Sequence, residues 1–218
     1  MHSSKQYIID DLSMQESWRL FKIMSEIVDG FETLSDIGPA VSVFGSARVK
    51  PDEPLYKQTE ELSAELAKAG FTVITGGGPG LMEAGNKGAK EAGGQSVGLH
   101  IHLPLEQHNN DYMDVRCDFR YFFIRKLMFI KYATAYVALP GGYGTLDELS
   151  EALVLIQTKR IRPFPIVLLG TEFWSGIIDW FKNTLVTNKF CHKDDLDLFI
   201  VTDDIKEAVT HIKRHVVI

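Results

Sequence analysis

Leu139-Pro140-Gly141-Gly142-Tyr143-Gly144-Thr145-Leu146-Asp147-Glu148 joins a short apolar run over 133–139 to a segment in which Leu149, Leu153 and Ile156 recur at helical spacing. The run reads as a buried strand and the segment after it as a helix, so these ten residues form a strand–loop–helix junction. Three glycines within 141–144 exceed what a tight turn requires. They allow backbone to approach a ligand closely, and the free N–H groups and dipole of the following helix attract an anion. Taken alone, Thr145-x-x-Glu148 is an ordinary capping box. Behind a glycine loop it reads differently, because a carboxylate one turn inside an anion site repels the anion and needs a purpose of its own.

Outward from this junction, apolar runs over 40–44, 71–74, 96–101, 164–169 and 198–201 predict further strands. Amphipathic patterns predict helices over 55–69, 81–92, 120–132, 173–185 and 203–213. Strand and helix alternate, which implies a Rossmann-like, doubly wound α/β fold: a mostly parallel sheet with helices on both faces. Before the first strand, Trp18, Leu20, Phe21, Met24, Ile27, Val28 and Phe31 make an apolar stripe, with Ser13 and Glu16 as a candidate capping box. This predicts an extra N-terminal helix, packed on the domain's flank or on a second subunit. The chain thus divides into a helical extension, 1–38, and a single domain, 39–218.

Two more small-residue loops sit at strand ends, Gly45-Ser46-Ala47-Arg48 and Gly76-Gly77-Gly78-Pro79-Gly80. Ligands of open α/β sheets bind beyond the carboxyl ends of the strands, so all three loops are expected to converge on one pocket. Convergent backbone donors favour a phosphorylated ligand. The second loop is neither a dinucleotide fingerprint nor a phosphate loop of the Gly-Lys-Thr kind. Glu83 just after it reads as a surface residue offsetting a helix dipole. His100 and His102 share one strand face, with His108 the only other histidine nearby, so no metal site is expected. Residues 104–110 look like a loop over a pocket. The 120–132 helix is apolar nearly all round and is expected to be largely buried. Arg125 and Lys126 in its middle either snorkel to solvent or, for Arg125, face an anion or Glu148. Trp174 and Trp180 are assigned to core packing.

The 218 residues carry a net charge of −6, which argues against broad nucleic-acid binding while leaving room for a local cationic pocket. Cys117 and Cys191 show neither a disulfide framework nor metal-type spacing. No apolar signal core opens the chain and no run is long enough to span a bilayer, so a cytoplasmic protein without membrane partners is expected.

These motifs together resemble the Lonely Guy (LOG) family, long labelled possible lysine decarboxylases. Residues 140–148 match its PGGxGTxxE signature, Arg125-Lys126-x-Met128 its upstream Arg-Lys helix, and 43–46 and 76–82 its first two loops. The similarity runs over about 41–185. It implies phosphoribohydrolase activity: cleavage of the N-glycosidic bond of a nucleoside 5′-monophosphate, such as AMP or a cytokinin riboside monophosphate, without a cofactor. It also implies homodimers or larger homo-oligomers. Carried over residue by residue, Arg125 and Glu148 take the catalytic places. The nucleotide is assigned to Gly141, Gly142, Tyr143, Gly144, Thr145 and Asp147, with Gly45, Ser46, Gly77, Gly78, Glu106, Lys126 and Met128 around them. Ile124 stands where many members carry Glu, and 104–110 differs from the plant-type loop that meets the base. A nucleotide-binding protein without turnover is the alternative, since nothing in the glycines themselves requires chemistry.

Overall fold

Strand β1 (Ala40–Phe44) sends Val41 and Val43 to one side and Ala40 and Phe44 to the other, and both sides are buried. A strand covered on both faces belongs inside a parallel sheet between two helical layers. In the computed structural model, which describes residues 16–102 and 109–216, that is its position. β1 pairs with β2 (Thr72–Thr75) on one side and with β5 (Ala133–Ala138) on the other. Outward from β2 come β3 (Ser96–Ile101) and β4 (Val115–Phe119); outward from β5 come β6 (Ile166–Leu169) and β7 (Ile200–Thr202). The order is β4-β3-β2-β1-β5-β6-β7 and every pairing is parallel. The chain builds one half outward from β1 and then restarts at β5. The loops leaving β1 and β5 therefore part in opposite directions, and the crevice between them is where such sheets bind ligands.

Helices α2 (Pro54–Lys68), α3 (Leu81–Glu91) and α7 (Ile205–His215) cover one face, contributing Leu62, Leu66, Leu81, Ala89, Ala208 and Ile212. Helices α4 (Phe122–Tyr132), α5 (Tyr143–Gln157) and α6 (Thr171–Trp180) cover the other, through Ile124, Phe129, Leu149, Ala152 and Trp174. Their ends follow local chemistry. α2 starts with proline in its first turn and ends on Lys68. In α7, Asp204 accepts from the Lys206 and Glu207 amides, and Lys213, Arg214 and His215 occupy the last turn.

Helix α1 (Glu16–Thr33) packs on β4 and α4 through Ile23 and Ile27. It comes closest at Gly30, where a Cβ would lie 2.7 Å from the Met128 methyl carbon. The Ser13 cap lies outside the described residues. The remaining α1 stripe points outward: Trp18, Leu20, Phe21, Met24 and Val28 are all more than half exposed.

Three expectations change. Residues 115–119 form an edge strand where no element was expected; Cys117 and Phe119 are buried while Arg116 and Asp118 alternate outward. Helix α4 is not largely buried, because Phe122, Phe123 and Leu127 are half exposed and only one side reaches the core. Trp180 is half exposed at the end of α6, where the chain passes into a π-helical turn, so only Trp174 serves the core.

Candidate active site

The three glycine loops meet. Ser46 N–H donates to Pro140 O at 3.1 Å, tying the loop after β1 to the loop after β5. Leu81 N–H donates to Ser46 O at 2.9 Å, bringing in the loop after β2. Gly80 makes this approach possible: its φ is +69°, and a Cβ there would fall 2.5 Å from Ser46 O. Beneath, a buried polar network fixes the second loop. Gly77 N–H donates to Thr75 Oγ1, Asn110 Nδ2 donates to Gly78 O, and Asn86 bonds Thr75, Ser96 and Val97. Both backbone polar groups of Gly77 and the Gly78 carbonyl are thereby turned inward.

Above the meeting point lies a cavity of about 650 Å³. Its loop wall is Gly45, Ser46, Ala47, Arg48 and Gly76. Its helical wall is the first turn of α5, residues 142–146, with Glu148 behind it. Phe122, Arg125 and Phe129 of α4 close a third side.

Helix α5 begins earlier than the capping-box spacing implies. Gly142 is its N-cap, no side chain caps it, and the Thr145 and Leu146 amides both donate to Gly142 O. Thr145 and Glu148 are accordingly not a capping box. Thr145 is buried inside the first turn and Glu148 follows in the next, only 3% exposed. The Tyr143 and Gly144 N–H groups, which precede these bonds, have no intrahelical acceptor, and both residues line the cavity. Gly142 and Gly144 have negative or ordinary backbone angles, and a Cβ on either would meet no atom of another segment within 4 Å among the described residues. Among the described residues no packing contact requires glycine at these two positions, and both line the cavity.

Glu148 sits between two cations from consecutive positions of α4. Arg125 Nη2 is 3.8 Å from its Oε1, and Lys126 Nζ is 3.6 Å from its Oε2. Burial pushes the Glu148 carboxyl up to about 6; Lys126 and Arg125 oppose that rise, and Glu151 and Asp147 add to it. Among the described residues Oε2 makes no hydrogen bond, since Lys126 at 3.6 Å is an ion pair beyond hydrogen-bonding reach. Arg125 is itself largely buried, which lowers its pKa against the pull of Glu148 and Asp147. Its guanidinium lies 5.2 Å from the Phe122 ring centre and 5.7 Å from that of Phe129, a cation–π setting that offsets part of the burial cost. Arg125 therefore faces Glu148 and does not snorkel.

Of the residues singled out in the sequence, the cavity is lined by Gly45, Ser46, Arg125, Gly142, Tyr143, Gly144, Thr145 and Glu148. Gly77 and Gly78 lie in the network behind it, and Gly141 packs against Thr145. Met128 is buried on the α1 side. Lys126 and Asp147 pair with each other at 3.0 Å on the outer side of Glu148. Glu106 and His108 lie outside the described residues. His100 pairs with Asp118 at 3.2 Å on the β3–β4 edge, away from the cavity lining. Among the described residues no cluster of His, Cys, Asp and Glu could hold a metal ion, and no helix is long and apolar enough to cross a membrane. Sequence reasoning passed over Arg48 and Phe122 as site residues. Arg48 carried a visible signal, a cation closing a small-residue loop at a strand end; Phe122 carried none apart from its place beside Arg125.

Comparison with known proteins agrees with this architecture. The family described as "Possible lysine decarboxylase" matches residues 82–212. The cytokinin riboside 5′-monophosphate phosphoribohydrolase LOG of Oryza sativa is 29% identical over 159 residues, 72% of this chain and 65% of the rice protein. The enzyme of the same name from Mycobacterium marinum is 29% identical over 169 residues, covering 73% of this chain and 86% of the relative. Among solved structures, the structural-genomics target TM1055 superposes with a TM-score of 0.62 at 29% identity, covering 81% of this chain and 99% of the other. The molybdenum cofactor carrier protein of Chlamydomonas reinhardtii superposes with a TM-score of 0.58 at 26% identity, covering 81% and 96%.

Proposed function

The chain belongs to the possible lysine decarboxylase (LOG) family, and from that premise we propose that it hydrolyses the N-glycosidic bond of a nucleoside 5′-monophosphate, AMP or a cytokinin riboside monophosphate, to free base and ribose 5-phosphate. One observation carries the reading: a buried carboxylate, flanked by two cations, stands one helical turn behind an open glycine N-terminus in the same cavity. The N-terminus suits the 5′-phosphate. Breaking the C1′–N bond builds positive charge on the ribose, and a nearby carboxylate stabilises that charge or orients the attacking water, as in glycoside hydrolysis. The anchored phosphate fixes the ribose so that the carboxylate acts at its far end. Arg125 keeps Glu148 ionised and holds it in place. A decarboxylase of the pyridoxal kind needs a lysine for its Schiff base; the described cavity lining contains Arg48 and Arg125 but no lysine.

A second reading draws on the likeness to the Chlamydomonas molybdenum cofactor carrier protein: a ligand bound without turnover, which for this chain would be a nucleotide. Incubating the protein with a panel of purine and pyrimidine monophosphates separates the two. The hydrolase reading expects ribose 5-phosphate and free base from at least one of them. Tight binding with neither product across the panel supports the carrier reading and overturns the first.

We assign the outward face of α1 to contact between copies of this chain. Phe21, Met24, Val28 and Phe31 repeat at alternating three- and four-residue spacing and stay exposed, the pattern of a helix seam. The face continues toward α4, where Lys131 lies 4.8 Å over the Phe31 ring. Met24→Glu combined with Val28→Glu is expected to lower the mass measured by sedimentation to that of a single chain. An unchanged assembly in that variant would remove α1 from the interface.

A further inference from the structure

Arg125 and Lys126 are neighbours in sequence but not in environment. About 100° separates consecutive residues on a helix, so the two side chains leave α4 on different sides of Glu148. Arg125 reaches Oε1 and lines the cavity; Lys126 approaches Oε2 and does not line it. The Lys126 ammonium sits 3.0 Å from Asp147 Oδ2 and 3.1 Å from Glu151 Oε2, both shorter than its 3.6 Å contact to Glu148. Three carboxylates of α5 thus surround it. An approaching phosphate would meet their negative charge before it met the cation. Asp147 and Glu151 in turn fix where the ammonium stands, one on each side of Glu148 in the sequence.

We infer that Lys126 is a positioning residue that holds the cavity-remote oxygen of Glu148 and keeps the carboxylate charged, and that it makes no contact with the nucleotide. This inference rests on the phosphoribohydrolase reading of the site. The charged and titratable groups facing Glu148 are Arg125 and Lys126 from α4, Asp147 and Glu151 from its own helix, and the buried Tyr136 from β5. Only the two cations favour its ionised form. Burial pushes its carboxyl up to about 6, so a cation lost here moves the titration through the pH range in which a rate is easily measured. The sign follows. Without Lys126, Glu148 takes up its proton at higher pH and the active, ionised form disappears sooner as pH falls. Without the Glu151 charge, the opposite holds.

The test is kcat/KM against pH for the native protein, Lys126→Met, Lys126→Arg and Glu151→Gln, with binding of ribose 5-phosphate measured alongside. Lys126→Met is expected to move the acid limb upward by about one pH unit, the scale of one close opposite charge. That makes the rate roughly tenfold lower on the limb at a fixed pH, with ribose 5-phosphate binding unchanged. Lys126→Arg is expected to restore most of the native profile, and Glu151→Gln to displace the limb downward. A general loosening of the fold would not move two variants in opposite directions. A ¹³C titration of the Glu148 carboxyl in the same proteins reads the same displacement without turnover. If the native protein hydrolyses nothing, the proposed activity fails while the titration still decides the role of Lys126. An active native protein with an unmoved limb and titration in Lys126→Met overturns the inference. So does a tenfold loss of ribose 5-phosphate affinity with the limb in place. Should Lys126→Met fail to fold, Lys126→Arg and Glu151→Gln carry the comparison.

Discussion

Glu148→Gln is expected to bind AMP about as well as the native protein and to release adenine at least ~100-fold more slowly, the usual scale for a positioned acid–base or charge-stabilising group. The substitution keeps the shape of a side chain that is 3% exposed and removes only its charge. The proposed phosphate site consists of backbone amides of the α5 N-terminus and the loop after β1, neither of which the change touches. Ground-state binding is therefore retained while the charge facing the developing ribose cation is lost. The proposed role also sets a pH dependence. If the ionised carboxylate is the form that acts, its pKa, pushed by burial up to about 6, predicts that kcat/KM holds above that pH and falls toward tenfold per unit below it. Phosphate monoesters also titrate near pH 6. The residual activity of Glu148→Gln, recorded over the same range, separates the substrate's contribution from that of the enzyme. Full adenine release by this variant would remove Glu148 from the mechanism.

Gly144→Ala is expected to leave the fold intact and to weaken nucleotide monophosphate binding tenfold or more. Packing among the described residues does not call for glycine here: an added Cβ meets no other segment within 4 Å, and the position lies in the first turn of α5. Alanine is the better helix former by up to about 1 kcal/mol, so the thermal midpoint should stay level or rise. The methyl group would stand among the amides proposed to hold the phosphate and keep its oxygens at a distance. Gly80→Ala is the contrasting case. Its positive φ and the 2.5 Å approach of Ser46 O leave no room for a Cβ, so stability falls there, by ~1 kcal/mol or more. Calorimetry of both variants, with titration of AMP into each, checks the pair. Gly144→Ala binding AMP at native affinity would mean that the phosphate sits elsewhere.

The two glycines look alike in the sequence, and only the packed structure sorts them. The same holds for Arg125 and Lys126. Their pairing in the motif places both beside Glu148, but which one faces the cavity depends on how α4 is rotated against α5. Rotation is set by the side on which Ile124, Met128 and Phe129 find the core. An all-apolar helix gives no warning of that choice, and for the same reason α4 reads as buried although Phe122, Phe123 and Leu127 are half exposed. Strand β4 is not legible in the sequence, because an edge strand needs only one buried side and five residues alternating Val-Arg-Cys-Asp-Phe are too short and too polar to stand out. Thr145-x-x-Glu148 matches a capping box in spacing alone, and the glycine loop ahead of it already sets that reading aside. Where the helix begins is decided by Gly142, whose carbonyl takes the first two amide bonds.

By itself, the sequence determined the parallel α/β architecture, the strand-end position of three small-residue loops and the pairing of a glycine-rich helix N-terminus with a carboxylate. All of these follow from local periodicity, glycine content and residue spacing, which a chain displays before it folds. Tertiary structure alone decided that the loops after β1 and β5 part at the switch in strand order and so open a cavity. It also decided that Glu148 is buried deeply enough for its pKa to rise, and that Lys126 turns away from the cavity toward three carboxylates. Burial and charge proximity depend on contacts between segments far apart in the chain, and no window of sequence contains them.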